Sequence, residues 1–380
     1  MKLDSIQFTE YEGQDREWIL EDTALDTITL VVGKNASGKS RFLSIIASLG
    51  KLLSGNASQL FESGKYLARF SNGETKFEYI LHYENKVVVG EKLSKDGDTL
   101  LDRGKDGAGT IWAEKLGAKI DFQSPVDQLA AKVRQDAIQH PYLAELHNWA
   151  SLLRHYQFGT PLGRDHFLLL TQTPATTGES SVSEIVDPNE VTKLYIRAFA
   201  QYEEPFDQAV LRDMKSLGYD CTDIGAEGAD IRVIQGPPMA WLFLQEKGLK
   251  AKTSQVVMSQ GMFRALSIVI HLNYCIFRKI ARTILIDDIG EGLDFSRAQS
   301  FISLLISKSI QNNLQLLMTT NDRFVMNGVP LKHWGVLSRK ENKVRITNIK
   351  TAPKIFEEFE ELGLSNFDFF STNFFEEGAK

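Results

Sequence analysis

Residues Gly33-Lys34-Asn35-Ala36-Ser37-Gly38-Lys39-Ser40 fit the pattern GxxxxGK[ST]. The chemistry follows from the residue types. Glycines let the backbone curl until its N–H groups point inward at phosphate oxygens. A helix starting at the end of the loop adds partial positive charge. Lys39 can reach the outer phosphates of a nucleoside triphosphate, and the Ser40 hydroxyl can ligate Mg²⁺. With Arg41, these residues form the candidate nucleotide-binding stretch. A second set lies in Thr283 to Asp294, TILIDDIGEGLD. Asp287 is suited to holding Mg²⁺ through water, and Asp288 is the candidate general base for an attacking water. Taken alone, the two acids read equally well as an acidic turn after a core strand. Paired with the phosphate loop, the chemical reading is the better one.

These groups need elements that carry them. Ile28 to Val32 is a β-branched run that ends in glycine, as a buried strand does. From Lys39 to about Leu53 the apolar residues Phe42, Leu43, Ile45, Ile46, Leu49, Leu52 and Leu53 have helical spacing. Strand–loop–helix is the setting a phosphate loop requires. Thr283 to Ile286 and Leu314 to Met318 read as further buried strands, and Leu3 to Phe8 as a short one. Lys76 to Arg103 carries short strands with Gly and Asp turns, an antiparallel meander. Pro125 to Gln157 and Glu190 to Lys215 read as helical, with a Ser/Thr/Pro/Gly-rich exposed loop from Thr171 to Asn189 between them. A strand region around Trp241 and Phe243 and a helix from Gln260 to Phe277 follow. Strands alternating with helices at both ends predict an α/β core with a largely parallel sheet.

The order of these motifs carries a family resemblance. GKNASGKS resembles the P-loop of ABC-type ATPases. Met258-Ser259-Gln260-Gly261-Met262 looks like a degenerate LSGGQ signature, although by itself it reads as a helix start with a serine cap. Asp287 through Asp294 is similar to their Walker B and D-loop. Asn321, in Met318 to Asp322, falls where their switch histidine follows the next strand. The nearest resemblance is to soluble members: RecF/SMC-like heads and the overcoming-lysogenization-defect-like ATPases of anti-phage defence.

The resemblance implies a P-loop NTPase of ABC-ATPase type with an antiparallel β-meander and an inserted helical lobe. The cofactors it implies are ATP and Mg²⁺. Ser259 and the Gly261 amide would face the γ-phosphate held by another protomer, so that ATP joins two copies head to tail. Lys39, Asp288 and Asn321 would be the catalytic set, and Ser40 and Asp287 would hold the metal. The base is one methylene shorter than the usual glutamate, and asparagine cannot carry the charge of histidine. Both departures imply slow or triggered turnover. The expected organisation is 1–122 and 236–350 as two parts of the ATPase core, 123–235 as the helical lobe, and 351–380 as an acidic, aromatic tail. The implied role is the sensor or regulatory subunit of a defence complex controlling a separate nuclease or toxin. The rivals are a RecF-like repair ATPase and a nucleotide-binding scaffold without turnover. Gln123 and Gln128 are weak candidates for the Q-loop glutamine, and Trp18 and Tyr11 for adenine stacking, with core or surface roles favoured for both aromatics.

Composition limits the other classes. The chain has 380 residues, 43 Lys and Arg against 49 Asp and Glu, and a net charge of −6. That balance argues against a uniformly basic nucleic-acid binder and leaves only a local basic patch open. A hydrophobic fraction of 43% supports a full core. Cys221 and Cys275 cannot form a disulfide framework and read as reduced core thiols of a cytoplasmic protein. No apolar run is long enough to span a bilayer, so a membrane subunit would be a separate chain. His140, His147 and His155 have roughly helical spacing, but without cysteine or paired carboxylates they read as a helix face rather than a metal site. No sustained heptads lie between Ser40 and Ser259, so a coiled-coil arm is not expected. In the tail, Phe356 and Phe359 read as packed on the sheet. For Asn366 to Phe375, core packing and partner docking read equally well.

Overall fold

A computed structural model describes residues 1–57, 60–169, 187–228, 239–280 and 282–379. The N-terminal part holds β1 (Lys2–Glu10), β2 (Trp18–Ala24), β3 (Ile28–Gly33) and α1 (Lys39–Ser54). Then comes a run of strands: β4 (Ser63–Asn72), β5 (Thr75–Glu84), β6 (Val87–Lys95), β7 (Asp98–Arg103), β8 (Ala108–Ala113) and β9 (Ala118–Gln123). The middle holds α2 (Ala130–Val133), α3 (Pro141–Leu152), β10 (Arg154–Gln157), β11 (Leu168–Leu169) and α4 (Val191–Ser216). It continues with β12 (Cys221–Gly228), β13 (Met239–Glu246), β14 (Thr253–Ser254) and α5 (Gln260–Phe277). The last part is β15 (Thr283–Asp287), α6 (Phe295–Gln311), β16 (Gln315–Thr320), α7 (Arg323–Gly328), β17 (Trp334–Lys340) and β18 (Lys343–Asn348). Helices α8 (Pro353–Glu361) and α9 (Asn366–Ser371), and a 3₁₀ turn over Phe374–Ala379, close the chain.

Among the described residues, fourteen strands join in one sheet, ordered β10-β15-β16-β3-β17-β18-β2-β1-β4-β5-β6-β7-β8-β9. The first five run parallel, and from β1 onward the neighbours are antiparallel. Strands β3, β15 and β16 are buried along their whole length. Their alternate residues face opposite ways, as strand geometry demands. Leu30, Val32, Ile284, Ile286, Leu316 and Met318 join the core under α4, α5 and α6. Val31, Leu285 and Leu317 join the core around α1, α3 and the meander. A sheet covered on both faces needs such unbroken apolar runs.

The sequence expectations meet this fold with some corrections. The meander does not stop at Arg103 but continues through β8 and β9 to Gln123. The span from Pro125 to Gln157 is not one helix: α2 is four residues long, and β10 pairs in parallel with β15 as the sheet's outermost strand. A residue pattern of Arg-His-Tyr-Gln is too short to declare a strand by periodicity. Most of the expected loop, residues 170–186, lies outside the described residues. Glu190 to Lys215 is helical as α4, with non-helical backbone at Glu203 just before Pro205. Proline displaces the preceding turn. In the tail, Phe356, Phe359, Phe369 and Phe375 are all buried in the core shared with α5 and α6. Cys221 and Cys275 are buried and unpaired with each other. No described helix is long and apolar enough to cross a membrane.

Candidate functional site

The C-terminal ends of β15, β16, β3 and β17 lie side by side, the edge where open parallel sheets take ligands. From β3 the chain turns through Lys34 to Ser37 and enters α1 at Gly38, whose φ of 116° suits glycine alone. Gly33 has no room for a side chain either: an added Cβ would lie 2.8 Å from the Leu337 carbonyl. Lys39 is 6% exposed. Its Nζ donates to the carbonyl oxygens of Gly33 at 2.8 Å and Lys34 at 3.1 Å, so the ammonium lies across the inside of the loop. The Ser37 hydroxyl is buried with no hydrogen-bond partner. An orphaned hydroxyl and an ammonium in one curled loop are groups that suit phosphate oxygens.

Ser40 and Asp287 meet. The Ser40 hydroxyl donates to Asp287 Oδ1 at 3.1 Å, and the Thr319 hydroxyl donates to the same oxygen at 2.5 Å. No described residue donates to Asp287 Oδ2. The hydroxyl and the carboxylate offer hard oxygen atoms of the kind Mg²⁺ takes alongside phosphate and water. Asp288 follows with a φ of 54°, left-handed backbone that a non-glycine residue adopts at a cost. Its amide donates to Thr319 Oγ1 at 2.9 Å. Thr319 therefore ties both acids to β16, and neither the phosphate-loop pattern nor the acidic pattern marks it. Asn321 Nδ2 donates to Asp288 Oδ1 at 3.4 Å, so the switch position and the candidate base are neighbours.

Burial pushes the Asp288 carboxyl up, and the Asp287 charge pushes it further, against the pull of Lys39. Burial pushes Lys39 down, opposed by Asp288 and Asp287. Two acids and one ammonium thus share a partly desolvated site in which a divalent cation would relieve the repulsion between the carboxylates.

The signature-like segment starts α5. Ser259 caps the helix, its Oγ accepting from the Met262 amide at 3.2 Å, and the residue is exposed. The accepting hydroxyl keeps its own proton to donate, so cap and anion donor are compatible roles. Gly261 is buried, and an added Cβ would meet the Gly292 carbonyl at 2.1 Å. That glycine is demanded by the close approach of the Asp287–Asp294 loop. Arg264, 2% exposed, reaches both sides: it donates to the Glu291 carbonyl at 2.9 Å and the Thr160 carbonyl at 3.2 Å. Asp294 caps α6 by accepting from the Arg297 amide.

The weak candidates separate. Gln123 ends β9, at the opposite side of the fourteen-strand order from the outermost strand β10, and Gln128 is an exposed residue beyond it. The glutamine at this edge is Gln157, the last residue of β10, exposed and in register with Asp287. Only topology brings it there, although a glutamine ending a short His-Tyr-Gln run before Phe158-Gly159 was the available signal. Trp18 is 3% exposed and covered by the Arg41 guanidinium at 4.1 Å. Arg41 also pairs with Glu10. Tyr11 carries the Arg16 guanidinium 3.6 Å from its ring. His140 contacts the Trp112 carbonyl, and His147 the Ser151 hydroxyl. Among the described residues no group of three or more His, Cys, Asp or Glu is arranged to hold a metal.

Three solved structures compare over nearly the whole chain. An SMC head bound to the C-terminal winged-helix domain of ScpA superposes with a TM-score of 0.54 at 10% identity, covering 93% of this chain and 100% of the other. The SMC head domain of Thermotoga maritima gives 0.46 at 14% identity, covering 92% and 99%. A Pyrococcus furiosus Smc head with an extended coiled coil, bound to the C-terminal domain of ScpA, gives 0.48 at 11%, covering 94% and 99%. No protein-family profile and no curated protein matches the sequence. The fold likeness rests on the first of the three structures. With the glycine-rich loop between β3 and α1, Asp287 ending β15 and Asp288 just after it, the chain has the mixed α/β P-loop fold of ABC-ATPase type, similar to that of an SMC head.

Proposed function

We propose that this protein binds Mg-ATP, closes head to tail with a second copy around it, and hydrolyses it slowly or on a trigger. The observation that carries the reading is the convergence of Lys39, Ser40, Asp287 and Asp288 on one sheet edge, with an orphaned Ser37 hydroxyl inside the loop. The loop amides and Lys39 would hold the phosphates, and Ser40 and Asp287 would hold the metal. Bound Mg²⁺ would supply charge neutralisation at the outer phosphates. Asp288 would accept the proton of the attacking water, with Asn321 fixing its carboxylate and Gln157 lining the same edge. Ser259 and the α5 N-terminus would meet the γ-phosphate of the other copy. A carboxyl raised by burial and by Asp287 is a better base near neutrality than an ordinary aspartate.

Titration with a fluorescent ATP analogue tests the binding step. Lys39→Ala should weaken affinity by about 100-fold, the scale of a lost charge-assisted contact of roughly 3 kcal/mol. Equal affinity in the variant would remove the site from nucleotide binding.

The biological role we infer is a sensor or regulatory subunit of an anti-phage defence complex that controls a separate nuclease or toxin. This part rests on resemblance to such ATPases, with partner binding by the SMC heads similar in fold as a parallel. Co-purification of a nuclease-like or toxin-like chain would support it. A salt-dependent DNA affinity that rises with ATP would favour a RecF-like repair role instead. A second reading, ATP binding without turnover, is favoured by the short base at Asp288 and the uncharged Asn321. Phosphate release no faster than in Lys39→Ala would establish it.

A further inference from the structure

The sheet is open at the end away from β10. β9 is the last of the fourteen strands, and no described strand pairs with its outer edge. Ala118, Lys119, Ile120 and Asp121 are all exposed, Ile120 at 37%. Which main-chain groups face outward follows from the register. β8 and β9 are antiparallel, with Ile111 opposite Ile120 and Trp112 opposite Lys119. One step beyond the strand, in the same register, the Ser124 amide donates to the Gly107 carbonyl at 2.9 Å. Hydrogen-bonded and open pairs alternate along an antiparallel ladder. Phe122, Ile120 and Ala118 therefore turn their main-chain groups to β8, and Lys119 and Asp121 turn theirs outward. Arg134 donates to the Gln123 carbonyl and covers the next outward position.

Unpaired groups on a strand edge are a template for another strand, and edges are commonly guarded by charge. Charges of one sign would repel a second copy of the same strand. Here the signs differ, and Lys119 and Asp121 flank Ile120 evenly on the other face of the strand. Neither makes an ion pair with a described residue. Antiparallel pairing about a two-fold axis at Ile120 sets Lys119 opposite the other copy's Asp121, and does so twice. It uses the outward main-chain groups of both residues and brings Ile120 against Ile120. The neighbouring registers that keep the same alternation are centred on Lys119 or on Asp121. They place like charges directly opposite, which is unfavourable.

We propose that β9 is a self-complementary docking edge that pairs antiparallel with β9 of a second copy, centred on Ile120, and joins the two sheets into one. The contact is isologous, so it closes on itself as a dimer. It needs no nucleotide. β9 and the strands that carry the phosphate loop and the paired acids stand at different ends of the strand order, so this contact and closure around ATP use different parts of the chain. Where both form, each copy has two partners, and dimers are linked into a larger assembly.

The test uses the full chain without nucleotide, so that closure around ATP plays no part, and follows association by sedimentation. The parent should dimerise at about 100 µM, and rising salt should weaken the dimer. Asp121→Lys sets lysine against lysine, and Lys119→Asp sets acid against acid. Each should weaken self-association by at least about tenfold. A mixture of the two variants should regain the parent's affinity, because every cross-strand charge pair is then of opposite sign. Ile120→Cys should give a disulfide-linked dimer on mild oxidation, since an open antiparallel pair holds its Cα atoms about 4.5 Å apart, within disulfide range. A parent that is monomeric without nucleotide, single variants as tight as the parent, a mixture that stays apart, or an Ile120→Cys chain that does not cross-link overturns the proposal. Closure around ATP is tested separately by nucleotide titration and stands or falls apart from these results.

Discussion

Two buried acidic sites behave differently in this molecule. Glu91, on β6, has both oxygens occupied. Oε1 accepts from the Tyr79 hydroxyl at 2.8 Å and the Ala131 amide at 2.9 Å, while Oε2 accepts from the Ala130 amide at 2.6 Å. The buried Arg103 lies 3.9 Å away and anchors to the Pro125 and Gln128 carbonyls. Burial pushes the Glu91 carboxyl up and all four partners pull it back. At the other site Asp287 takes two hydroxyls on one oxygen, and Asp288 sits next to it in left-handed backbone with a like charge for a neighbour. A saturated carboxylate fixes structure: Glu91 joins the meander to the start of α2. The unsaturated pair of acids shares a single ammonium, Lys39, and so is short of one counter-charge, as the proposed metal-binding role would need.

The contrast can be broken by experiment. Glu91→Ala should destabilise the fold by about 3–5 kcal/mol, because Arg103 is left buried and uncompensated. Urea unfolding measures this, and the folded fraction should keep its nucleotide affinity. Asp288→Asn should do the reverse, with stability held or raised and single-turnover hydrolysis lowered by about 100-fold. If hydrolysis is equal in the two proteins, Asp288 is not the base. Asn321→Ala should slow the same step by about fivefold, the scale of one modest hydrogen bond, without moving the unfolding midpoint.

The smallest effect sharpens the comparison at a third carboxyl. Asp207 on α4 is buried and accepts from the Tyr195 hydroxyl at 2.9 Å, and burial pushes it up to about 6. Its folded form holds a proton more tightly than the unfolded chain does. This contribution to stability is therefore complete below the ordinary value of 3.8 and is lost as pH rises through about 6. Asp207→Asn should flatten that part of the melting-temperature profile. An unchanged slope would mean that other groups set it.

How much was legible beforehand depends on how each feature is encoded. Gly33 to Ser40 is contiguous, and a continuous loop writes its chemistry into neighbouring residues. Strands β3 and β15 were readable because burial on both faces requires unbroken apolar runs. Gln157 was not, because a four-residue strand has no period and its place beside Asp287 comes from pairing across the sheet. Gln123 and Gln128 are only weak candidates on sequence order, and the sheet carries the first to its far side. Thr319 was hidden for a similar reason: its hydroxyl matters only because β16 lies beside β15. In the tail the phenylalanine pattern could not separate packing from docking, and the structure uses Phe369 and Phe375 for packing while leaving Glu376 exposed.

The guanidinium of Arg264 links three stretches of chain far apart in sequence. It rides on α5 and grips the backbone at Thr160 and Glu291. These anchors are carbonyl oxygens, so the linkage does not depend on side-chain identity at either end. A displacement of α5 would therefore have to carry both loops with it or give up these two bonds, which makes Arg264 a shared anchor for the three segments.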